Sequence, residues 1–510
     1  MHKTKIVRHP LTKPQRLLPS AFCFLPAAFR LRVALSLLLI FAPLLSGCYS
    51  ARRTPNLERI FAAARERKGK RPLIVIPGVL GSQLVNYETG EIVWPSAFRS
   101  SDDGLSLPVS PDLQRNRDNL VARKIVDTAR LARLAPEVYV YHELLVALKK
   151  YGGYKEGDWS NPSEDGDHDT FYVFPYDWRR DNVETARELI GRIETLKRKL
   201  NRPDLRFNVL AHSMGGLVAR YAAMYGDADL PPEGAQPKPS WAGAAHINKI
   251  IMFGTPNEGS ADAFVTLLEG YSIREGLRSR LPLFKKLSRE DVFTVPSVFQ
   301  LLPHRTATRF LDENLQPIEV DLYDPAVWRR YGWSPVADAE YRQRFVKGRT
   351  RGDNAPFSRG SLEELDAYFA LVLNRAKRFH EALDVIEENP RVHLYAFGGD
   401  CEDTLVAPVI LFDQKKKQWV TITRPREFRT STGQKISQKA AAAAMSEPGD
   451  GRVTRSSLLG EDLEGKPNSI FNTPLPIAYA VFTCDLHGEL QKNKTLQDNA
   501  LTALVGEVMK

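Results

Sequence analysis

Two kinds of hydrophobic pattern alternate along the chain. Residues 73–77 (LIVIP), 170–176 (TFYVFPY), 207–210 (FNVL), 247–253 (INKIIMF) and 392–397 (VHLYAF) are short, continuously apolar runs, several closed by Pro or Gly. Such runs predict strands buried on both faces. Between them, Val183, Ala186, Leu189, Ile190, Ile193, Leu196 and Leu200 recur at helical spacing, which predicts one amphipathic helix. A second is predicted from Met214 to Tyr225. A last helix is predicted after the run 479–483, with Thr495 and Asp498 as a capping box and Leu496, Ala500, Leu504 and Val508 along one face. Strand–helix alternation of this kind predicts an α/β unit, with a mostly parallel sheet covered by helices, from about residue 70 to 510.

Two stretches depart from that alternation. Residues 408–423 place β-rich runs on either side of Asp413-Gln414-Lys415-Lys416-Lys417, which predicts a hairpin. Residues 430–448 are polar and Ala-rich and predict a surface helix or loop. The long stretch from about 258 to 390 carries Phe293, Phe299, Trp328, Tyr331 and Trp333. A segment of that length is uncommon without structure of its own, and it predicts a cap or lid, with a second packing layer as the alternative.

Composition is that of an ordinary globular chain: 43 % hydrophobic and 26 % charged over 510 residues. The formal charge is +10, but seven of the cations precede residue 33, where there is no acid. The rest is close to neutral, so nothing points to nucleic acid. The leading cations run into VALSLLLIFAPLLS at 33–46. This stretch is too short to span a bilayer and is placed as a secretory signal would be. It ends in Leu45-Ser46-Gly47-Cys48, which resembles a bacterial lipoprotein processing site. The resemblance implies cleavage after residue 47, lipidation of Cys48 and, with Tyr49 following, delivery to an outer membrane; periplasmic release or secretion is the alternative. Residues 48–69 then form a linker. Among four cysteines, Cys401 and Cys484 could pair in an oxidising compartment.

The chemistry concentrates at FNVLAHSMGGL, residues 207–217. A strand, a small residue, a serine, a second small residue and a helix make a nucleophile elbow centred on Ser213. The turn tolerates only small side chains two residues to either side, here Ala211 and Gly215. It also sets Ser213 at a helix N-terminus, where amides favour developing negative charge. His212 leaves the elbow in the wrong direction to act as base and reads as packing or support. In this architecture the acid and then the histidine follow late in the chain. Asp450, in the turn Gly449-Asp450-Gly451, is the leading acid, with Asp400 and Asp403 as rivals. His487, between the last predicted strand and helix, is the base; His380 and His393 read as structural. One oxyanion donor is the amide of Met214. The other is the amide of Leu80, with Val79 as alternate, in PGVLGSQL (77–84), where glycines permit close approach of backbone. No metal-ligand spacing is present, and no metal or cofactor is expected.

PGVLGSQL at 77–84, PYDWRRD at 175–181, AHSMGG at 211–216, GTPNEGS at 254–260 and GDGRVTRSS at 449–457 occur in this order. Together they resemble the lecithin:cholesterol acyltransferase family, which includes lysosomal phospholipase A2 and bacterial lipase-like members. The resemblance implies an α/β-hydrolase fold with a lid and a membrane-contacting portion. It implies Ser213, Asp450 and His487 as the triad, Leu80 as an oxyanion donor, and Trp178 as a substrate or lid contact in the acyl-chain wall. Arg452 stands where that acid turn usually has Thr. The expected activity is a serine acylhydrolase of lipid esters, a lipase or phospholipase A type, or an O-acyltransferase on the same residues. An esterase or thioesterase for soluble substrates and a non-catalytic lipid-binding scaffold are the alternatives. The expected partner is a membrane lipid; the sequence is silent on oligomeric state.

Overall fold

The computed structural model describes residues 54–95, 104–127, 141–271, 287–347, 360–385, 390–461 and 473–509. The signal-like segment and Cys48 lie outside the described residues, as do residues 272–286 of the insertion.

Seven strands form one sheet: β1 Leu73–Ile76, β2 Lys155–Glu156, β3 Thr170–Val173, β4 Phe207–His212, β5 Ile247–Phe253, β6 His393–Gly399 and β7 Ile477–Thr483. Their spatial order is β7-β6-β5-β4-β1-β3-β2, and every neighbouring pair is parallel. The period-two rule of strands divides their side chains between two cores. Ile74, Ile76, Val209, Ala211, Ile250 and Met252 enter one cluster. Leu73, Val75, Leu210, Ile251 and Phe253 enter the other. Both faces are therefore covered, which is why these strands read as continuous apolar runs rather than alternating ones.

The helices that matter here are α1 His142–Lys150, α2 Asn182–Lys199, α3 Met214–Tyr225, α4 Ala261–Glu269, α5 Leu362–Leu383 and α6 Lys494–Val505. Helix α2 buries the expected stripe Val183, Ala186, Leu189, Ile190, Ile193 and Leu196. Its N-terminus is capped by Asp181, whose carboxylate accepts from the amides of Val183 and Glu184. Helices α2, α3 and α5 pack on one face of the sheet, and α1 and α6 on the other. An all-parallel sheet with helices on both faces and a nucleophile elbow after a central strand is the α/β-hydrolase fold.

Several boundaries differ from the sequence pattern. Strand β3 ends at Val173, because Pro175 has no N–H to continue the ladder; the amide of Phe174 makes one last bond to Val75 O. Helix α6 is capped by Asn493, whose side chain accepts from the amides of Thr495 and Leu496, and not by the expected Thr495–Asp498 box. Leu496, Ala500 and Leu504 are buried, whereas Val508 lies past the helix end and is 42 % exposed. The hairpin forms from Val409–Asp413 and Gln418–Ile422. In the Ala-rich stretch, Gln438–Met445 is a helix that buries Ala441 and Met445. A three-stranded antiparallel sheet of Ser82–Asn86, Ile92–Trp94 and Leu120–Ile125 follows the early glycine turn, where the sequence pattern gave no strand.

The described part of the 258–390 insertion packs directly into the main core. Phe293, Phe299, Trp328 and Trp333 are each at most 2 % exposed, and they meet in edge-to-face contacts with Phe264 and Phe369. Beyond its own packing, this layer walls the pocket described next. No helix among the described residues is long and apolar enough to cross a membrane.

Candidate active site

Strand β4 delivers the chain to Ser213 at φ +54°, a left-handed conformation rare for a residue with a side chain. The strain is held by surroundings that admit nothing larger. A Cβ on Gly215 would stand 2.5 Å from Pro77 O, and one on Gly216 2.0 Å from Thr255 Oγ1. The amide of Ser213 donates to Phe253 O on β5, and Thr255 Oγ1 donates to Ser213 O. Helix α3 begins at Met214, so the Met214 amide is one of the first-turn donors that have no acceptor within the helix.

His487 lies between β7 and α6, and Asp450 lies at the turn after the short strand Ser446–Gly449. The fold brings both to Ser213. His487 Nε2 is 2.9 Å from Ser213 Oγ, and His487 Nδ1 is 2.8 Å from Asp450 Oδ2. The other carboxylate oxygen, Oδ1, accepts from the amides of Arg452 and Val453. All three residues are at most 5 % exposed. The rival acids stand elsewhere: Asp400 is half-buried and Asp403 exposed. Of the remaining histidines, His380 is buried on α5 and His393 is exposed at the start of β6. With hydrogen bonds at both ring nitrogens, His487 can take a proton from the serine while the carboxylate steadies the positive charge.

Leu80 has φ +62° and is 2 % exposed, in the turn that follows β1. The turn is closed by Gly81 N–H donating to Gly78 O, and the Leu80 carbonyl accepts from the Trp94 indole. Gly78 brings the backbone of this turn against the serine. A Cβ there would stand 2.8 Å from Ser213 Cβ. The glycine thus permits close contact between this turn and the elbow.

An open, mostly apolar pocket reaches Ser213 and His487. It is lined by Leu80 and Trp178 and by Val292, Val295, Val298 and Leu301 of the insertion. Trp178 is held by its neighbours. Arg179, fully buried, makes paired bonds to Asp118 (2.6 and 2.8 Å) and to Asp177 (2.9 and 2.8 Å), while Ser297 Oγ donates to Trp178 O. Asp177 and Asp118 therefore brace this loop through Arg179; Asp118 carries no signal in the sequence. Arg452 reaches the same pocket and pairs with Asp262 at 2.6 Å, its guanidinium 5.2 Å from the Tyr271 ring. Cys401 and Cys484, at the ends of β6 and β7, form a disulfide with Cα atoms 5.0 Å apart.

One cluster has the donor types of a metal site. His304 Nε2 is 3.0 Å from Asp384 Oδ2 and 3.3 Å from Glu258 Oε2. Arg305 stands 3.7 and 3.9 Å from the same two carboxylates, and both acids also act on the buried Arg220. Two guanidinium charges already match the two carboxylates, so this set is an ion-pair cluster in its charge balance.

Residues 124–331 match the model of the lecithin:cholesterol acyltransferase family. The family resemblance of the motifs is therefore shown over the segment that carries PYDWRRD, AHSMGG and GTPNEGS; Asp450 and His487 lie beyond it. The match points to an acyl-ester hydrolase or acyltransferase acting on lipid. No curated protein matches the chain. Among solved structures, Tle4 in complex with Tli4 is similar at 14 % identity and a TM-score of 0.51, over 86 % of this chain and 98 % of that one. The mature Bacillus licheniformis lipase BlEst2 has 11 % identity and a TM-score of 0.29, over 86 % and 92 %. EstA from Clostridium botulinum has 12 % identity and a TM-score of 0.33, over 87 % and 89 %. The likeness to Tle4 bears on the fold alone.

Proposed function

We propose that the protein is a serine acylhydrolase of lipid esters that works through an acyl-serine intermediate. The observation that carries this reading is the continuous line Ser213 Oγ, His487 Nε2, His487 Nδ1, Asp450 Oδ2, with links of 2.9 and 2.8 Å, opening on an apolar pocket. In the first step Ser213 Oγ attacks the ester carbonyl carbon as its proton passes to His487 Nε2. Asp450 steadies the imidazolium. The amides of Leu80 and Met214 donate to the carbonyl oxygen as it becomes an oxyanion. Collapse breaks the bond to the alcohol, which leaves with the proton from His487. Water then attacks the acyl-serine by the reverse route, and the fatty acid leaves. The valine- and leucine-rich lining beside Trp178 suits an acyl chain, and the family match supports lipid as the substrate class.

A lipid alcohol in place of water would give acyl transfer on the same residues. The Leu45-Ser46-Gly47-Cys48 sequence supports lipidation of Cys48 and anchoring in a bacterial envelope, which would hold the site against its substrate. Loss of metabolic lipid labelling in Cys48→Ala tests that anchor. The activity is tested by incubating the purified protein and its Ser213→Ala variant with phospholipid vesicles containing a sterol, followed by mass spectrometry of the lipids. Fatty acid and lysolipid that depend on Ser213 are expected. Acylated sterol would make it an acyltransferase. Absence of both products, with short soluble esters turned over, would replace the lipid reading with that of a soluble esterase.

A further inference from the structure

The mechanism leaves His212, next to the nucleophile, without a role. It is fully buried, yet both its ring nitrogens have partners. Nδ1 is 3.0 Å from the hydroxyl of Tyr141, and Nε2 is 3.2 Å from the backbone oxygen of His487. Tyr141, also fully buried, precedes α1, and its hydroxyl accepts from the amide of Gly78 at 2.9 Å.

The donor directions in this chain admit one consistent assignment. A carbonyl only accepts, so His212 Nε2 carries the hydrogen that goes to His487 O. In a neutral ring Nδ1 is then bare and accepts from the Tyr141 hydroxyl. The tyrosine oxygen keeps a lone pair for Gly78 N–H. The sequence of donations is Gly78 to Tyr141 to His212 to His487. Neutrality of the ring is enforced: burial, then the adjacent His487, hold the imidazole well below its ordinary value, against the bond to the His487 backbone.

Each end of this chain is a part of the site. Gly78 begins the turn that carries Leu80, through the bond from Gly81 N–H to Gly78 O. His487 is tied to Asp450 by its side chain and by its amide, which donates to Asp450 O at 2.8 Å. Both of those ties come from the acid side. The bond from His212 to the His487 carbonyl comes from the nucleophile side, and the two imidazole rings lie 5.0 Å apart at 40°.

We infer that Tyr141 and His212 are positioning residues, a hydrogen-bonded relay that fixes the base loop relative to the nucleophile elbow and the oxyanion turn. The inference rests on the serine-hydrolase reading. Without the relay, His487 keeps Asp450 but its loop can rotate away from Ser213, and the Leu80 turn loses its anchor at Gly78. Chemistry should suffer while substrate binding does not.

The test compares Tyr141→Phe, His212→Asn and His212→Gln in the full chain. The readouts are kcat and KM on a short p-nitrophenyl ester, corrected for the fraction of Ser213 that a fluorophosphonate titrates, and Tm. Asn can place an acceptor where Nδ1 stood but falls short of the His487 carbonyl; Gln can place an N–H where Nε2 stood. We expect kcat to fall about 10-fold in Tyr141→Phe and about 10²-fold in His212→Asn, with KM within about twofold, and to recover largely in His212→Gln. Unchanged kcat per titrated site, with only a lower Tm, would reduce the pair to packing and overturn the inference. Equal kcat losses in the Asn and Gln variants would also overturn it, since the link to His487 would then not be what matters. Ser213→Ala separates the two levels. If that variant turns over ester like the wild type, the hydrolase reading itself fails; if it is inactive and the relay variants are normal, only the relay fails.

Discussion

His487 and Asp450 are joined twice: ring Nδ1 to carboxylate Oδ2 at 2.8 Å, and backbone amide to backbone carbonyl at 2.8 Å. The second bond survives a change of the side chain. Asp450→Asn should therefore leave the loop folded while placing an amide N–H or a weaker acceptor opposite the imidazole. A fall in kcat of about 10⁴-fold is expected, with Tm nearly unchanged. Steady-state kinetics beside thermal unfolding checks this; a loss below about tenfold would contradict it.

Gly78→Ala tests how tightly the oxyanion turn is set against the elbow. The added Cβ would stand 2.8 Å from Ser213 Cβ and 3.1 Å from His212 O. Neither neighbour is a flexible chain end, so something must shift. Overpacking of this kind costs about 1–3 kcal/mol. Because the strain falls on Ser213, labelling by a fluorophosphonate should slow by at least about tenfold. Wild-type labelling rates in the variant would show that the turn is free to yield.

The disulfide between Cys401 and Cys484 joins the end of β6 to the chain just before His487, across a sequence separation of 83. Closing so long a loop restricts the unfolded chain, and removing a native bridge of this sort costs about 2–5 kcal/mol. Cys401→Ser with Cys484→Ser should lower stability by that amount in denaturant titration. Both sulfurs belong to exposed residues, so a reducing agent should reproduce the loss in the wild type. Equal midpoints for oxidised and reduced protein would contradict the prediction.

Two buried imidazoles make stability depend on pH in a defined direction. Burial first, and then the neighbouring His487 for His212 and His304 and Arg220 for His380, hold both rings well below 6.5 in the folded chain. Unfolded, each takes up a proton as pH drops below about 6.5, so the unfolded state binds more protons there. Stability is full above that value and falls below it, with a slope approaching about 1.4 kcal/mol per pH unit for each ring. His380→Gln should remove one such slope. The gap between wild type and variant, read from urea unfolding between pH 5 and 8, should narrow as pH falls. A gap independent of pH would contradict it.

How much was legible in the sequence varied with the range of the interaction. The elbow is a local device, and Ala211, Ser213 and Gly215 announce it because the turn itself excludes larger residues. The sheet was legible for a similar reason: strands buried on both faces need unbroken apolar runs. The partners of Ser213 are different. Asp450 and His487 lie more than 200 residues away, and spacing did not separate Asp450 from Asp400 and Asp403; the family resemblance did. Tyr141 and Asp118 had no local signal at all. Each is defined by what it meets across the fold, Gly78 and His212 for one and Arg179 for the other. The three-stranded sheet after β1 was missed because its strands are short and polar on one side. The cap of α6 was misplaced by two residues because Asn493 and Thr495 are both good capping residues, and only geometry chooses between them.

The central claim is that Ser213 carries the acyl group between the two half-reactions. The most direct measurement is intact-protein and peptide mass spectrometry after rapid acid quench of the protein mixed with a slowly deacylating ester. The account predicts one added acyl mass per chain, located on the peptide that contains Ser213 and lost in Ser213→Ala. An acyl mass on any other residue, or turnover that persists in Ser213→Ala, would contradict it.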